Sequence, residues 1–123
     1  MSKKTISYQP LTTAVFHILL ALSDGEKHGY AIMKDIEAQT GGQIKMGPGT
    51  LYGSIKRMLA AGLIEESGQR PDPAMDDQRR RYYRLTHLGQ TVVNAESNRL
   101  AVLVNVARDK HVLNYSQSRG DLS

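Results

Sequence analysis

Hydrophobic positions recur with a helical period over most of the chain. Leu11, Ala14, Val15, Ile18, Leu19 and Leu22 form one stripe, which predicts a first helix opening at Pro10 and closing before the turn signal Ser23-Asp24-Gly25. Ile32, Met33 and Ile36 give a narrower apolar face to a second helix over 29–40, ended by Gly41-Gly42. Leu51, Ile55, Met58 and Leu59 recur at i, i+4, i+7 and i+8 in a third helix over 48–61. Pro48 suits its first turn, and Gly62 suits the left-handed position that stops it.

The period then changes. Residues 63–67 read as a short strand and 68–78, with Pro71, Asp72, Pro73, Asp76 and Asp77, as a hairpin loop. Residues 79–85 read as the return strand, with Arg81, Tyr83 and Leu85 on one face and Arg80, Tyr82 and Arg84 on the other. Thr86 is placed to cap a long final helix that ends near 111–113. The expected fold class is mainly α with a small β-hairpin, a winged helix-turn-helix followed by a long C-terminal dimerisation helix. The expected organisation is a flexible N-terminal arm at 1–9, a winged helix-turn-helix domain at 10–85, the dimerisation helix at 86–113 and a disordered tail at 114–123.

Composition narrows the function. The 123 residues carry 16 Lys and Arg against 12 Asp and Glu, a net charge of +4, which leans towards acidic partners such as nucleic acid. There is no Cys, so disulfides, thiolate metal sites and Cys nucleophiles are excluded. The most apolar run, 14–22, is too short to span a bilayer. A cytoplasmic protein without membrane association is expected. The four His lie on separate elements with no i, i+4 pair, so no metal site is expected. There is no Gly-rich phosphate loop, nucleophile elbow or triad set, so neither an enzyme nor a cofactor is expected.

The third helix carries donors and cations on its non-core faces. Thr50, Tyr52 and Ser54 offer hydroxyls, and Lys56 and Arg57 offer charge, all suited to phosphates or base edges. Thr50 alternatively caps the helix, and Tyr52 packs beneath the hairpin. Ser54 and Arg57 alternatively lie on a solvated face. Tyr30, opening the second helix, either donates to a phosphate or is a core aromatic. Arg79, Arg80 and Arg81 after the loop either reach the DNA backbone and minor groove or pair with Asp76 and Asp77. The second half of the final helix is apolar at Leu100, Leu103, Val104 and Ala107, with no later element to cover it. It either meets a second copy of the chain or packs back on the first helix; a two-fold dimer would read a pseudopalindromic double-stranded operator.

His28-Gly29-Tyr30, Gly49-Thr50-Leu51-Tyr52, Gly62-Leu63-Ile64 and Arg81-Tyr82-Tyr83-Arg84-Leu85-Thr86, in this order, resemble the PadR family of bacterial transcriptional regulators over about 11–89. The resemblance implies a dimeric repressor that a small apolar or aromatic effector releases from DNA at the long-helix interface. A single final helix resembles the short subgroup. The chain differs in carrying Gly53 where members often have proline, an acidic run in the wing, and no Trp. Two rival readings differ in class. A winged-helix protein-interaction module would not show the steep salt dependence of DNA binding. A small-molecule carrier would need a large apolar cavity.

Overall fold

The structure, a computed structural model, describes residues 10–69 and 81–113, with only the backbone of Gln69. The expected arm at 1–9, the tail at 114–123, most of the hairpin loop, including Asp72–Asp77, and Arg79 and Arg80 of the expected return strand lie outside the described residues. The elements run α1 (Thr13–Leu22), β1 (Lys27–His28), α2 (Gly29–Gln39), α3 (Pro48–Ala60), β2 (Ile64–Gln69), β3 (Arg81–Leu85) and α4 (His87–Asp109). This is a three-helix unit with a winged sheet and a long C-terminal helix, as the hydrophobic pattern predicts.

Local chemistry sets the boundaries. The first helix starts at Thr13 rather than Pro10, because Thr12 is extended and its Oγ1 accepts from the Val15 N–H at 3.2 Å. His28 caps α2 through Nδ1, which accepts from the Ala31 N–H at 3.0 Å. Gly62 is left-handed at φ 78°, and the Leu63 N–H returns to the Met58 carbonyl at 3.0 Å, closing α3.

The sheet has three strands in the order β1-β3-β2, one more than the pattern predicts. Strand β1 is only Lys27 and His28, opposite Tyr83 and Tyr82, and is too short to carry an alternation. It is held in place by its neighbours. Lys27 Nζ donates to the Ala21 carbonyl at 2.8 Å and pairs with Asp24, whose carboxyl it holds below its ordinary range. Strands β2 and β3 pair with Ile64 opposite Leu85, Glu65 opposite Arg84 and Glu66 opposite Tyr83. A bulge between Glu66 and Gly68 then shifts the register.

One apolar core joins these elements. Ile18, Leu19, Ile32, Ile36, Leu51, Met58, Ile64 and Val92 are its largest fully buried apolar side chains. Val92 and Val93 belong to it, so the first half of α4 is part of the domain expected to end at residue 85. The chain enters α4 through Thr86. Its N–H donates to the Leu63 carbonyl, its hydroxyl donates to the Gly62 carbonyl at 2.6 Å, and its Oγ1 accepts from the Gly89 N–H at 3.0 Å. A Cβ on Gly89 would overlap the Leu63 carbonyl oxygen, so only glycine allows this approach.

Glu96 is the polar residue that the pattern misses. It is 2% exposed, while Ala95 beside it is only half-buried. Its carboxylate accepts from Arg99 Nε at 2.8 Å and Arg99 Nη2 at 2.7 Å, and from the Leu11 N–H at 3.3 Å. A buried carboxylate is tolerated because these donors replace water. They also tie α4 to the residues that lead into α1. The Arg99 hydrogen bonds hold the Glu96 carboxyl below its ordinary value of 4.5 against the opposing effect of burial.

Two predictions follow from this packing. Gly89→Ala should destabilise the domain by about 1–3 kcal/mol in urea unfolding, since a backbone carbonyl must move. Glu96→Gln should lose about 1–3 kcal/mol at neutral pH. Because the folded carboxyl is the stronger acid, its contribution is complete above 4.5 and is lost as pH falls through the lower folded value. The gap between Glu96→Gln and wild type should therefore close on acidification, as unfolding curves at several pH values would show.

Candidate nucleic-acid interface

Helix α3 buries Leu51, Ser54, Ile55 and Met58 and leaves its first turn exposed. Gly47 occupies the N-cap and supplies no side-chain cap, and Pro48 sits at the start. Nothing within 4 Å surrounds the positions where Gly47 and Gly49 would carry a Cβ. The positive end of the helix dipole is therefore open to close approach by an anion. Thr50 is exposed inside this turn and is not the cap, which removes the alternative reading of that residue.

Tyr52 is half-buried and packs on α2. A Cβ on Gly29 would overlap its hydroxyl and ring, so the glycine of His28-Gly29-Tyr30 is the seat for the α3 phenol. Tyr52 thus sets the spacing of α2 and α3 rather than standing out from the surface. Tyr30 is 40% exposed and is not a core aromatic. Its ring stacks on His28 at 6.5 Å, and Lys34 Nζ lies 5.5 Å from its centroid.

Ser54 is corrected by the structure. It is fully buried and accepts from Arg57 Nη2 at 3.3 Å, so it has no surface to offer DNA in this conformation. The residue lies on the apolar stripe between Leu51 and Ile55, and its small size lets it pack there. Lys56 and Arg57 are both exposed but serve different sides of α3. Arg57 borders an apolar cleft of about 270 Å³ with Leu11, Val15 and Met58. Lys56 borders a second cleft of about 230 Å³ between α3 and the sheet, shared with Tyr52, Glu66, Arg81 and Tyr83.

Of the three wing arginines, Arg81 is described and exposed; Arg79 and Arg80 lie outside the described residues. Arg81 Nη1 is 3.9 Å from Glu66, and Arg84 Nε is 2.8 Å from Glu65. Sequence reasoning missed both glutamate partners, because the register that faces them is fixed only when the strands pair. It also passed over Lys34 and Lys45, exposed cations on α2 and on the connector to α3.

The expected interface residues of α4 are split. Leu103 and Val104 are 50% and 46% exposed, whereas Leu100 and Ala107 are half-buried. Val102 and Val106, at 60% and 41%, extend the exposed apolar surface. Among the described residues, no three His, Asp or Glu side chains are grouped to hold a metal. No helix among them is long and apolar enough to cross a membrane.

Comparison with known proteins agrees with this architecture. The family model described as "Transcriptional regulator PadR-like family" matches residues 18–95. A transcriptional regulator from Clostridium thermocellum superposes with a TM-score of 0.64 at 25% identity, covering 77% of this chain and 89% of that one. A PadR family transcription regulator from Clostridium difficile gives 0.64 at 22% identity, covering 80% of this chain and 97% of its own. Bacillus subtilis PadR in complex with operator DNA gives 0.59 at 21% identity, over 71% of this chain and 46% of that chain. The last two likenesses show the fold. A curated relative, an uncharacterised 37.1 kDa protein in a Streptomyces fradiae transposon, is 36% identical over 86 residues, 70% of this chain; the match spans 22% of that longer protein. With its fold, its motifs and the family match in agreement, the chain belongs to the PadR-like family of transcriptional regulators.

Proposed function

We propose that the chain is a homodimeric, DNA-binding repressor. The observation that carries this reading is α3. One stripe of the helix is buried, while its uncapped, glycine-lined N-terminus, Thr50 and Lys56 remain exposed together. Such a helix offers amide dipoles, a hydroxyl and a cation to the backbone and base edges of a major groove. Tyr30 on α2, Arg57 on α3 and Arg81 at the start of β3 extend the contact, and Arg79 and Arg80 belong to the same proposal. The Bacillus subtilis relative was solved with operator DNA, which supports carrying the partner to this fold.

The second copy docks on α4. Leu100, Leu103, Val104 and Ala107, at i, i+3, i+4 and i+7, share one face of α4 beyond the part that the core buries, and Leu103 and Val104 are its most exposed members. A two-fold axis there presents two α3 helices to a pseudopalindromic operator. Residues 10–85 with the first half of α4 form the DNA-binding unit, and the remainder of α4 forms the dimer contact. Release by a small apolar or aromatic effector at that contact would act by shifting the angle between the two wings. The protein acts in the cytoplasm and needs no cofactor in this account.

Lys56→Ala should weaken binding to all DNA sequences and lower the log–log salt slope by about one. Anisotropy titrations at several salt concentrations read this directly, and an unchanged slope would remove Lys56 from the interface. The double substitution Leu103→Glu, Val104→Glu should give a monomer in analytical ultracentrifugation. Its operator affinity should fall on the order of a hundredfold, because the second half-site no longer benefits from linkage. A persisting dimer would place the interface elsewhere.

A further inference from the structure

The cleft between α3 and the sheet holds one charge that works against DNA. Lys56 approaches it from the helix and Arg81 from the start of β3, and Tyr52 and Tyr83 lie in its walls. Glu66 shares the same space, 3.9 Å from Arg81. Glu66 and Arg81 both act electrostatically on Tyr83, and Lys56 borders the same cleft. Burial pushes the Tyr83 phenol up, the Glu66 carboxylate raises it further, and Arg81 opposes them.

Register explains why Glu66 faces this cleft and Glu65 does not. Glu66 is directly opposite Tyr83, the buried residue of β3, so the two side chains share the sheet face turned to α3. Glu65 is opposite Arg84, and their 2.8 Å ion pair lies on the reverse face. Each side of the wing root therefore carries an arginine beside a glutamate. Among the described residues, the pair on the α3 side borders a cleft flanked by a second cation, Lys56.

A cleft with Lys56 and Arg81 on its two walls suits one phosphate of a DNA backbone passing between α3 and the wing. An oxygen anion placed there displaces the carboxylate, because Glu66 and a phosphate compete for Arg81. The Arg81–Glu66 pair is suited to such exchange: both side chains are nearly half exposed and the contact is long. Pairs of that kind add little stability, so breaking one costs little.

We infer that Glu66 is a built-in competitor for the DNA phosphate, holding Arg81 in the free protein and yielding it when the backbone enters the cleft. The inference rests on the DNA-binding reading above. Its functional consequence is a smaller phosphate contribution to binding. Binding to random DNA comes almost entirely from phosphate contacts, so a carboxylate beside a phosphate-binding arginine suppresses that background. Contacts from the N-terminus of α3 are untouched by it.

The test uses the full-length protein and a random-sequence duplex, which needs no knowledge of the operator. Wild type, Glu66→Gln and Glu65→Gln are titrated between about 50 and 200 mM salt. Both substitutions remove the same charge from an exposed side chain, and Glu65→Gln does so on the face away from the cleft. Glu66→Gln should bind about three- to tenfold tighter than wild type at the lowest salt, the scale of one charge acting over several ångströms at a wet surface. The gain should exceed that of Glu65→Gln, shrink as salt rises, and vanish when Arg81→Gln is added. Equal gains from the two glutamines would reduce the effect to net charge and overturn the inference. So would unchanged affinity in Glu66→Gln, or a gain that survives the loss of Arg81. If the wild type itself shows no salt-dependent binding, the DNA reading falls first and the inference with it.

Discussion

Thr86 stands where three elements meet, and the geometry of the proposed DNA-facing surface depends on that junction. One hydroxyl reaches the end of α3 through the Gly62 carbonyl and caps α4 through the Gly89 N–H. The Thr86 N–H adds a bond to the Leu63 carbonyl at the start of β2. The stop of α3, the root of the wing and the start of α4 are thereby fixed to one another. Gly89 makes the approach possible, since any side chain there would meet the Leu63 carbonyl. In the proposed dimer, these bonds connect a contact on α4 to α3 and to the root of the wing.

A second contact sets the other spacing that a bihelical DNA reader needs. The Tyr52 phenol rests on Gly29, so α2 and α3 are held at the distance one aromatic ring allows. The pair Glu96 and Leu11 does similar work at the far side, joining α4 to the entry of α1. The first turn of α3 stays exposed at the edge of this frame. The charges around it are less fixed. Arg81 and Arg84 each sit beside a surface glutamate, and such pairs are readily exchanged for a stronger anion.

Most of the fold is legible from the period of the apolar positions. The stripe Leu51, Ile55, Met58 and the stop at Gly62 predict α3 to within a residue of its end. Thr86 is legible as a cap because a threonine before a helical pattern has a mechanism. Strand β1 is not legible, because two residues carry no alternation and their placement comes from pairing with β3. Glu96 is not legible either: a glutamate on a helix reads as solvated until Arg99 and the Leu11 amide are seen to enclose it. At the site, Thr50, Lys56 and Tyr30 lie at the surface as their residue types suggest. Ser54 does not, because a small polar side chain on a helix can turn inward at little cost when a donor such as Arg57 follows one turn later. Glu66 escaped notice because its partner is set by strand register, and a bulge beside it makes that register hard to count from sequence.

Reading double-stranded DNA through α3 is the property that separates a DNA-binding regulator from a protein-interaction module. The most direct measurement is an equilibrium binding titration with DNA from upstream of its own gene, set against a scrambled duplex, at two salt concentrations. Tighter binding to the upstream DNA and a steep loss of affinity for both duplexes as salt rises are the expected results. Binding to neither duplex, or binding that salt leaves unchanged, would contradict DNA reading through α3.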